Sequence, residues 1–376
     1  MSETFNEEAK PSKFERLKSI DALRGMDMIW IIGLAYVVKA LDRWLDTPVT
    51  HWLRVQMGHA KWDGFTFMDI VMPLFMFITG CSMVFSFSKR LERDGKRKVY
   101  THVLIRVAIL WVLGMMVHGK LLDLKWENIK FFSDTLQAIA IGYLGSSLIL
   151  LCKTLRAQII WVASLLFTYW ALMHFVPVPG HGAGVLTMQG NLAAYVEAEI
   201  MGIHDDGRAY TWILSTMTFI VTVMLGCFSG RILSAKETLP QLRLKQLLIY
   251  GSALFLGGLL FLLIDPCIKK IWTSSFTLIS GGVCILLLAL FYWVVDIRKC
   301  TWWTYPFIVV GSNSILAYVV FAFNKFFNSQ KFMDQFLYGL KPWLGEAYPF
   351  VLACAGLGFT CFFLHVMYKK KIFIKI

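Results

Sequence analysis

Charged side chains are scarce in this sequence. Asp, Glu, Lys and Arg make up 16% of its 376 residues and hydrophobic types 57%, whereas a soluble domain has roughly 25% charged and 45–50% apolar residues. This shortage excludes an ordinary water-soluble domain. The net charge of +13 does not indicate a nucleic-acid-binding protein, because Lys and Arg occur in short clusters between apolar runs and form no continuous basic face.

Some cysteine and histidine patterns are also missing. The eight cysteines include no CxxC pair, most of them fall inside or at the ends of apolar stretches, and the histidines show no HxxxH or HExxH spacing. We therefore expect neither a disulfide framework nor a metal site. The first twenty residues are polar and no A-x-A-like cleavage site follows, so we expect the first apolar run to stay in place as a membrane anchor.

Apolar runs of membrane-spanning length, by contrast, recur along the whole chain. About 20 apolar residues cross the hydrocarbon layer of a bilayer. The runs predict about ten spans, at approximately 22–41, 66–88, 103–119, 134–152, 157–176, 212–232, 246–264, 274–296, 305–325 and 348–368. The predicted fold class is therefore all-α, a polytopic membrane helix bundle that forms a single domain over residues 1–376.

The basic residues predict the orientation of these spans. Most of the 37 Lys and Arg residues fall in segments that lie on one side of the membrane if the spans alternate, and the positive-inside rule makes that side cytoplasmic. Both termini are then cytoplasmic, with an N-terminal segment over 1–18 and a tail over 369–376. No N-x-[ST] triplet occurs, which favours a bacterial inner membrane as the location.

The predicted outer loops over 42–65, 120–133, 177–211 and 326–347 are longer and less basic, so we expect chemistry on a polar substrate there. Residues 177–211 begin with a Gly-rich stretch, which indicates a lid, and continue as a short helix at the outer surface. Four tryptophans near outer helix ends are either interfacial anchors or stacking surfaces for a sugar. They are Trp52, Trp62, Trp126 and Trp272.

An acidic residue and a histidine form the first candidate site. Asp69 lies about one turn into the second span, and His59 lies ten residues before it on the outer approach. A carboxylate bonded to one imidazole nitrogen fixes the tautomer and makes the other nitrogen a better general base. On spacing alone, the favoured alternative is that Asp69 caps its helix or snorkels to the interface while His59 is an ordinary loop histidine.

Charged residues at the inner end of the first span form a second candidate. Asp21, Arg24 and Asp27 lie in SIDALRGMD, where ionisable groups at membrane depth are costly to keep. They either serve the electrostatics of the helix start, or place Arg24 against a carboxylate or a phosphate. The basic loop SKRLERDGKRK is explained by topology, although it also suits a phosphorylated nucleotide. Glycines in the spans, including the GxxxG of Gly226 and Gly230, indicate close helix packing.

Several of these segments, taken in order, resemble a known family. They are SIDALRGMDMIWI, GHAKWDGFTFMDIVMPLFMFITG, RVAILWVLGMM, LQAIAIGYL, ILSTMTFIVTVMLGCFSGRIL, KKIWTSSFTLISGG and GSNSILAYVVF. The chain resembles, from about Ser19 to about Phe321, the transmembrane acetyltransferase family that includes heparan-alpha-glucosaminide N-acetyltransferase and its bacterial homologues. The order of seven blocks makes this likeness more specific than any one apolar helix.

The resemblance implies an enzyme that takes an acetyl group from cytoplasmic acetyl-CoA and delivers it to an amino sugar across the membrane. The family's active-site histidine lies in H-A-x-W-[ND]-G, which falls on His59 to Gly64, and the aspartate that follows falls on Asp69. The resemblance thus implies that His59 and Asp69 are catalytic. The chain departs from the family at Lys61, where proline is usual, and at Ala35, where animal members carry asparagine.

The remaining site residues are expected from depth and polarity. Five cationic side chains near the inner face are candidates for the phosphates of acetyl-CoA, namely Arg24, Lys89, Arg90, Arg106 and Arg231. Gln137 and Asn313 are polar groups within spans that suit the pantetheine amides, and Trp62 and Asp63 are candidates for the acceptor sugar. We expect membrane lipids and an amino sugar as partners, no nucleic acid, and we leave a homodimer open.

Two other functions stay open on the sequence. Ten helices with polar outer loops also describe a sugar transporter without enzymatic activity. The same fold and chemistry with a hydroxyl acceptor would give an O-acyltransferase that acts on envelope glycans.

Overall fold

The computed structural model describes residues 17–152, 154–205, 207, 209–235, 237–322 and 326–374, with only the backbone described at Ser88, Lys89, Leu91 and Glu92. Most of the expected N-terminal segment and the last two residues of the tail lie outside these ranges, as does the side chain of Lys89. Within them the fold is all-helical: two isolated β-bridges occur and no strand.

The helices are α1 Lys18–Ile29, α2 Ala35–Leu45, α3 Pro48–Gln56, α4 Phe67–Val117, α5 Thr135–Ile149, α6 Leu155–Phe175, α7 Leu192–Met201, α8 Thr216–Ser234, α9 Pro240–Phe261, α10 Ser274–Phe291, α11 Tyr305–Ser312, α12 Ser314–Phe321, α13 Ser329–Leu337, α14 Lys341–Leu344 and α15 Tyr348–Lys369. A π-helical turn, Trp30–Leu34, joins α1 to α2, and a second, Tyr292–Ile297, extends α10.

The chain is an integral multi-pass membrane protein. In the described residues, seven helical segments are long and apolar enough to cross a bilayer. They are Phe67–Phe87, Arg93–Val117, Leu155–Phe175, Thr216–Ser234, Pro240–Phe261, Ser274–Ile297 and Ser329–Lys369. The predicted number of ten stays a prediction, because α5 has only 15 residues, the π turn interrupts the first predicted span, and Asn313 separates α11 from α12.

The basic segment between the second and third predicted spans is mostly helical. It forms the middle of α4, which runs through 51 residues and leaves helical dihedrals only at Gly95, where φ is +75°. Lys, Arg and Glu favour helix nearly as much as leucine does. The helix therefore continues through this segment, although its many charges predicted a loop. Glycine tolerates the left-handed backbone that separates the two spans.

The inner part of the bundle is built on close contact between α4 and α8. A Cβ added at Gly226 would lie 2.0 Å from the carbonyl oxygen of Phe77, and one added at Gly80 would lie 1.9 Å from that of Val223. The two backbones therefore touch, as the small residues in the spans predicted. This contact holds the first half of α4, which carries Asp69 at its outer end, against the interior of the bundle.

Candidate functional site

The loop between α3 and α4 brings His59 against Asp69. The Nδ1 atom of His59 lies 2.9 Å from Oδ1 of Asp69. The other carboxylate oxygen accepts the Thr66 backbone N–H at 3.1 Å and the Thr66 hydroxyl at 2.9 Å. These bonds are those of a capping box at the start of α4. Asp69 thus caps its helix and also binds His59, and the catalytic role of the pair stays a prediction.

The pairing selects the tautomer of His59. An ionised carboxylate only accepts hydrogen bonds, so Nδ1 carries the proton and Nε2 carries the lone pair. No hydrogen-bond partner of Nε2 is found among the described residues, and 42% of the side chain is exposed. Asp69, in contrast, is fully buried. The result is a fixed imidazole with its basic nitrogen open to a substrate.

Lys269, in the segment between α9 and α10, is the third member of this cluster. Its Nζ lies 3.4 Å from Oδ1 of Asp69 and 3.1 Å from Nδ1 of His59. Because Nδ1 already donates to Asp69, the carboxylate is the acceptor for the ammonium group. Only 6% of the Lys269 side chain is exposed, so this charge is held at the site and is not shared with solvent.

Burial shifts the pKa of both basic groups. Desolvation lowers the pKa of His59 below its ordinary 6.5, although the hydrogen bond that His59 donates to Asp69 opposes the shift. Desolvation also lowers the pKa of Lys269 to about 8, against the attraction of Asp69. At neutral pH His59 is therefore mostly neutral and Lys269 is mostly charged, which are the states required of a base and of an electrostatic anchor.

Three loops meet beside the histidine. The indole N–H of Trp62 donates to the carbonyl of Leu186 at 2.9 Å, within the Gly-rich segment expected to form a lid. Asp63 is exposed and forms a β-bridge with Ile268, next to Lys269. Lys270 places its Nζ 5.9 Å from the centre of the Trp62 ring. Trp62 and Asp63 thus belong to the same group of loops as His59, and their contact with an acceptor stays a prediction.

The tryptophans differ in their environments. Trp52 and Trp126 are exposed, as an interfacial anchor or a stacking surface requires. Trp272 is 2% exposed and directs its indole N–H toward the Thr222 hydroxyl at 3.4 Å. The interpretation of Trp272 as a stacking surface for a sugar is therefore wrong, because its rings are enclosed by the bundle.

A cavity of about 670 Å³ lies between α1, α4, α5, α11 and α12. Its lining includes three of the five predicted cationic residues, Arg24, Arg90 and Arg106. Arg24 donates to the Ser82 hydroxyl at 2.7 Å and lies 3.6 Å from Asp21. Arg106 stacks on Tyr143, with the guanidinium carbon 4.5 Å from the ring centre. Convergent guanidinium groups in a cavity of this size suit a phosphorylated ligand.

Three other predicted residues, Gln137, Asn313 and Arg231, do not line this cavity. The side-chain amide of Gln137 bonds the backbone at Phe131, Ser133 and Asp134, which completes the cap of α5. The amide of Asn313 bonds the backbone of Ile372 and Ile374. Both amides are thereby occupied by main chain and have structural roles.

Arg231 donates to the Gln158 side chain at 3.0 Å and also lies outside the cavity. Depth and polarity could not separate these structural contacts from ligand contacts. In the parts of the chain that the structure describes, no group of three His, Cys, Asp or Glu side chains could hold a metal ion.

The sequence alone did not reveal Lys269, although a signal was present. Its segment, KKIWTSSFTLISGG, carries two lysines at the outer end of a span, where the positive-inside rule predicts few basic residues. Its partner His59 is 210 residues away in the sequence, so the contact depends on the tertiary fold.

Comparison with known proteins finds two related enzymes. The chain is 24% identical to the mouse protein heparan-alpha-glucosaminide N-acetyltransferase over 376 residues, which covers 85% of this chain and 55% of the relative. It is 24% identical to the human protein of the same name over 423 residues, which covers 96% of this chain and 60% of the relative. The chain thus spans somewhat more than half the length of these relatives. No family model matches it.

Proposed function

We propose that the chain, which is 24% identical to two heparan-alpha-glucosaminide N-acetyltransferases, is a distant member of their family and a transmembrane acetyltransferase. It moves an acetyl group from cytoplasmic acetyl-CoA to an amino sugar on the other side of the membrane, in a bacterial inner membrane with both termini cytoplasmic. The observation that carries this proposal is the bond between Nδ1 of His59 and Asp69, which leaves Nε2 open beside exposed loops.

In the proposed reaction His59 is the general base. Nε2 accepts a proton from the amine while the amine nitrogen attacks the carbonyl carbon of the thioester. The carbon–sulfur bond then breaks, and the leaving thiolate takes the proton back from His59, so the products are the acetylated amine and free CoA. Asp69 holds the ring and stabilises the transient imidazolium. The alternative is that Nε2 itself carries the acetyl group between two half-reactions.

The donor is proposed to enter through the cavity lined by Arg24, Arg90 and Arg106. These guanidinium groups neutralise the phosphates of acetyl-CoA, and Lys89 is proposed as a fourth contact from its place next to Arg90 in the chain. The acceptor binds at the opposite end, against Trp62 and Asp63. Ser82, the partner of Arg24, follows Asp69 by 13 residues on α4, so the two ends are about 20 Å apart along the helix.

The test is acetyl transfer by the purified protein. Labelled acetyl-CoA and glucosamine are supplied, and free CoA and acetylated sugar are measured together. The wild type should release CoA in step with the acetylated sugar. His59→Ala should lower kcat by about 10²–10⁴-fold, the contribution of a positioned general base, without changing the Kd for CoA.

His51→Ala is the matched control, because His51 is also an exposed histidine on the loop side of the bundle but contacts Asp42 and Arg54. It should keep wild-type turnover. Near-normal turnover in His59→Ala would remove this mechanism. Binding or movement of sugar with no thioester consumed would instead support a transporter.

A second candidate is an O-acyltransferase, which the departure at Lys61 favours. Lys61 is exposed and lies between His59 and Trp62, where it would change the acceptor without changing the base. Mass spectrometry of the products across a panel of amino and hydroxyl acceptors separates an amide from an ester.

A further inference from the structure

Asp27, in α1, is a buried carboxylate that the proposed chemistry does not yet use. Asp27 is 0% exposed, and neither oxygen of its side chain has a hydrogen-bond partner in the described part of the chain. A buried carboxyl group without a hydrogen-bond partner is unfavourable at membrane depth. Such a group indicates that a partner comes from outside the protein.

The position of Asp27 relates it to both ends of the proposed site. It follows Arg24 by three residues, and residues that far apart lie on the same face of a helix. Leu17, Ile20 and Arg24 on that face line the cavity, and Asp27 lies one turn beyond this lining. On its other side Asp27 interacts electrostatically with Lys269, which contacts Asp69 and His59. Asp27 therefore lies between the arginine-lined cavity and the catalytic pair.

An acyl donor that extends from the cavity to His59 must pass Asp27 with the pantetheine arm that links its nucleotide to its thioester. Ser82 is the partner of Arg24, Asp69 is the partner of His59, and these two partners are about 20 Å apart along α4. If the phosphates are at Arg24 and the thioester is at His59, the pantetheine arm spans this distance. The arm carries amide N–H groups, and these become costly to bury unless they find acceptors. The oxygens of the Asp27 carboxyl group have no hydrogen-bond partner in the described part of the chain, so they are available to accept a hydrogen bond from such an N–H.

We propose that Asp27 accepts a hydrogen bond from an amide N–H of the pantetheine arm and thereby positions the acyl donor between the cavity and His59. This inference rests on the proposed function. Asp27 is a positioning residue, since it contacts the donor away from the reacting carbonyl. The proposal also places the pantetheine arm of the donor beyond Arg24, where the residues that line the cavity do not extend.

The test compares two ligands that differ by the arm. Calorimetry in detergent gives the Kd for CoA and for adenosine 3′,5′-bisphosphate, which keeps the charged nucleotide and lacks the arm. Asp27→Ala should weaken CoA binding by about 10-fold, as expected for the loss of one buried hydrogen bond, and leave binding of the bisphosphate unchanged. Asp27→Asn, which keeps an oxygen acceptor of the same shape, should fall between Asp27→Ala and the wild type.

Ser19→Ala is the control on the same helix, because Ser19 is buried and lies outside the cavity lining. It should bind both ligands as the wild type does. Unchanged CoA binding in Asp27→Ala overturns the inference, and so does an equal loss of both ligands, which would mean a structural role. If the wild type neither binds CoA nor transfers acetyl, the proposed function fails. If it does both and Asp27→Ala is unaffected, only this inference fails.

Discussion

At the scale of single residues, the buried charge of Lys269 beside the neutral imidazole of His59 determines the protonation states of the candidate site. The ammonium of Lys269 lies within 3.4 Å of Asp69, so it favours the ionised carboxylate that fixes the His59 tautomer. The same ammonium repels a proton on His59 and contributes to the lowered pKa of that ring. Lys269 therefore keeps the pair ready to accept a proton near neutral pH.

This arrangement predicts a bell-shaped pH profile for kcat/KM. Transfer needs neutral His59, so activity should rise with pH through the pKa of His59, which burial places below 6.5. Transfer also needs charged Lys269, so activity should fall as pH rises through about 8. Initial rates at low acceptor concentration give this profile, because kcat/KM reports the free enzyme.

Lys269→Gln removes the group that titrates on the alkaline side. The variant should lose the fall near pH 8 and have a lower maximum, while Lys270→Gln, the adjacent lysine, should keep the fall. An unchanged alkaline side in Lys269→Gln would show that another group titrates there.

Sequence reasoning at this scale succeeds where a motif is local and fails where partners are distant. His59 and Asp69 are ten residues apart, so one contiguous segment contains the pair. Gln137 was misassigned because polarity at depth does not distinguish a helix cap from a ligand contact, and its neighbours Ser133 and Asp134 use its oxygen. Lys269 required the fold.

At the scale of helices, the contact between α4 and α8 determines where the site lies. The first half of α4 carries Asp69 at its outer end and Ser82, the partner of Arg24, further along. The same helix thus supports both ends of the proposed reaction path. Its position depends on backbone contact through Gly80 and Gly226.

Adding one methyl group at this contact should destabilise the protein. In Gly226→Ala the new Cβ would lie 2.0 Å from the Phe77 carbonyl oxygen, so the two helices must separate. Overpacking of this kind costs typically about 1–3 kcal/mol. We expect a lower Tm in detergent and weaker CoA binding, measured by thermal denaturation and calorimetry.

Gly257→Ala provides the comparison, because a Cβ added to that glycine on α9 meets nothing within 4 Å. Its Tm should match or slightly exceed that of the wild type. Equal Tm values for the two variants would mean that α4 and α8 are not in close contact in the folded protein.

The helices were predictable from apolar length, and their interruptions were not. The seven segments that the structure makes long and apolar correspond to predicted spans. The break at Gly95 falls inside a charged segment that has high helix propensity. At the interruption between α11 and α12, the Asn313 side chain bonds the backbone near the C-terminus, a long-range contact that local sequence does not encode.

At the scale of the whole molecule, the proposed reaction requires that the two ends of the path face opposite sides of the membrane. The cavity with Arg24, Arg90 and Arg106 lies toward the basic middle of α4, and His59 lies in the loop at the start of the same helix. The positive-inside rule predicts that the basic end is cytoplasmic. In the proposed orientation, cytoplasmic acetyl-CoA would reach the cavity and His59 would face an acceptor outside.

Cysteine labelling tests this orientation. Arg97→Cys lies near the break in α4 and Lys125→Cys lies in the segment before α5, and both parent residues are exposed. A maleimide that does not cross membranes should label position 125 in intact spheroplasts and position 97 only after permeabilisation. Because Cys354 is exposed and the other native cysteines are at least partly buried, the parent protein with Cys354→Ser gives the background. The reverse pattern would put His59 on the side of the acetyl-CoA pool, and transfer across the membrane would then have no physical basis in this fold.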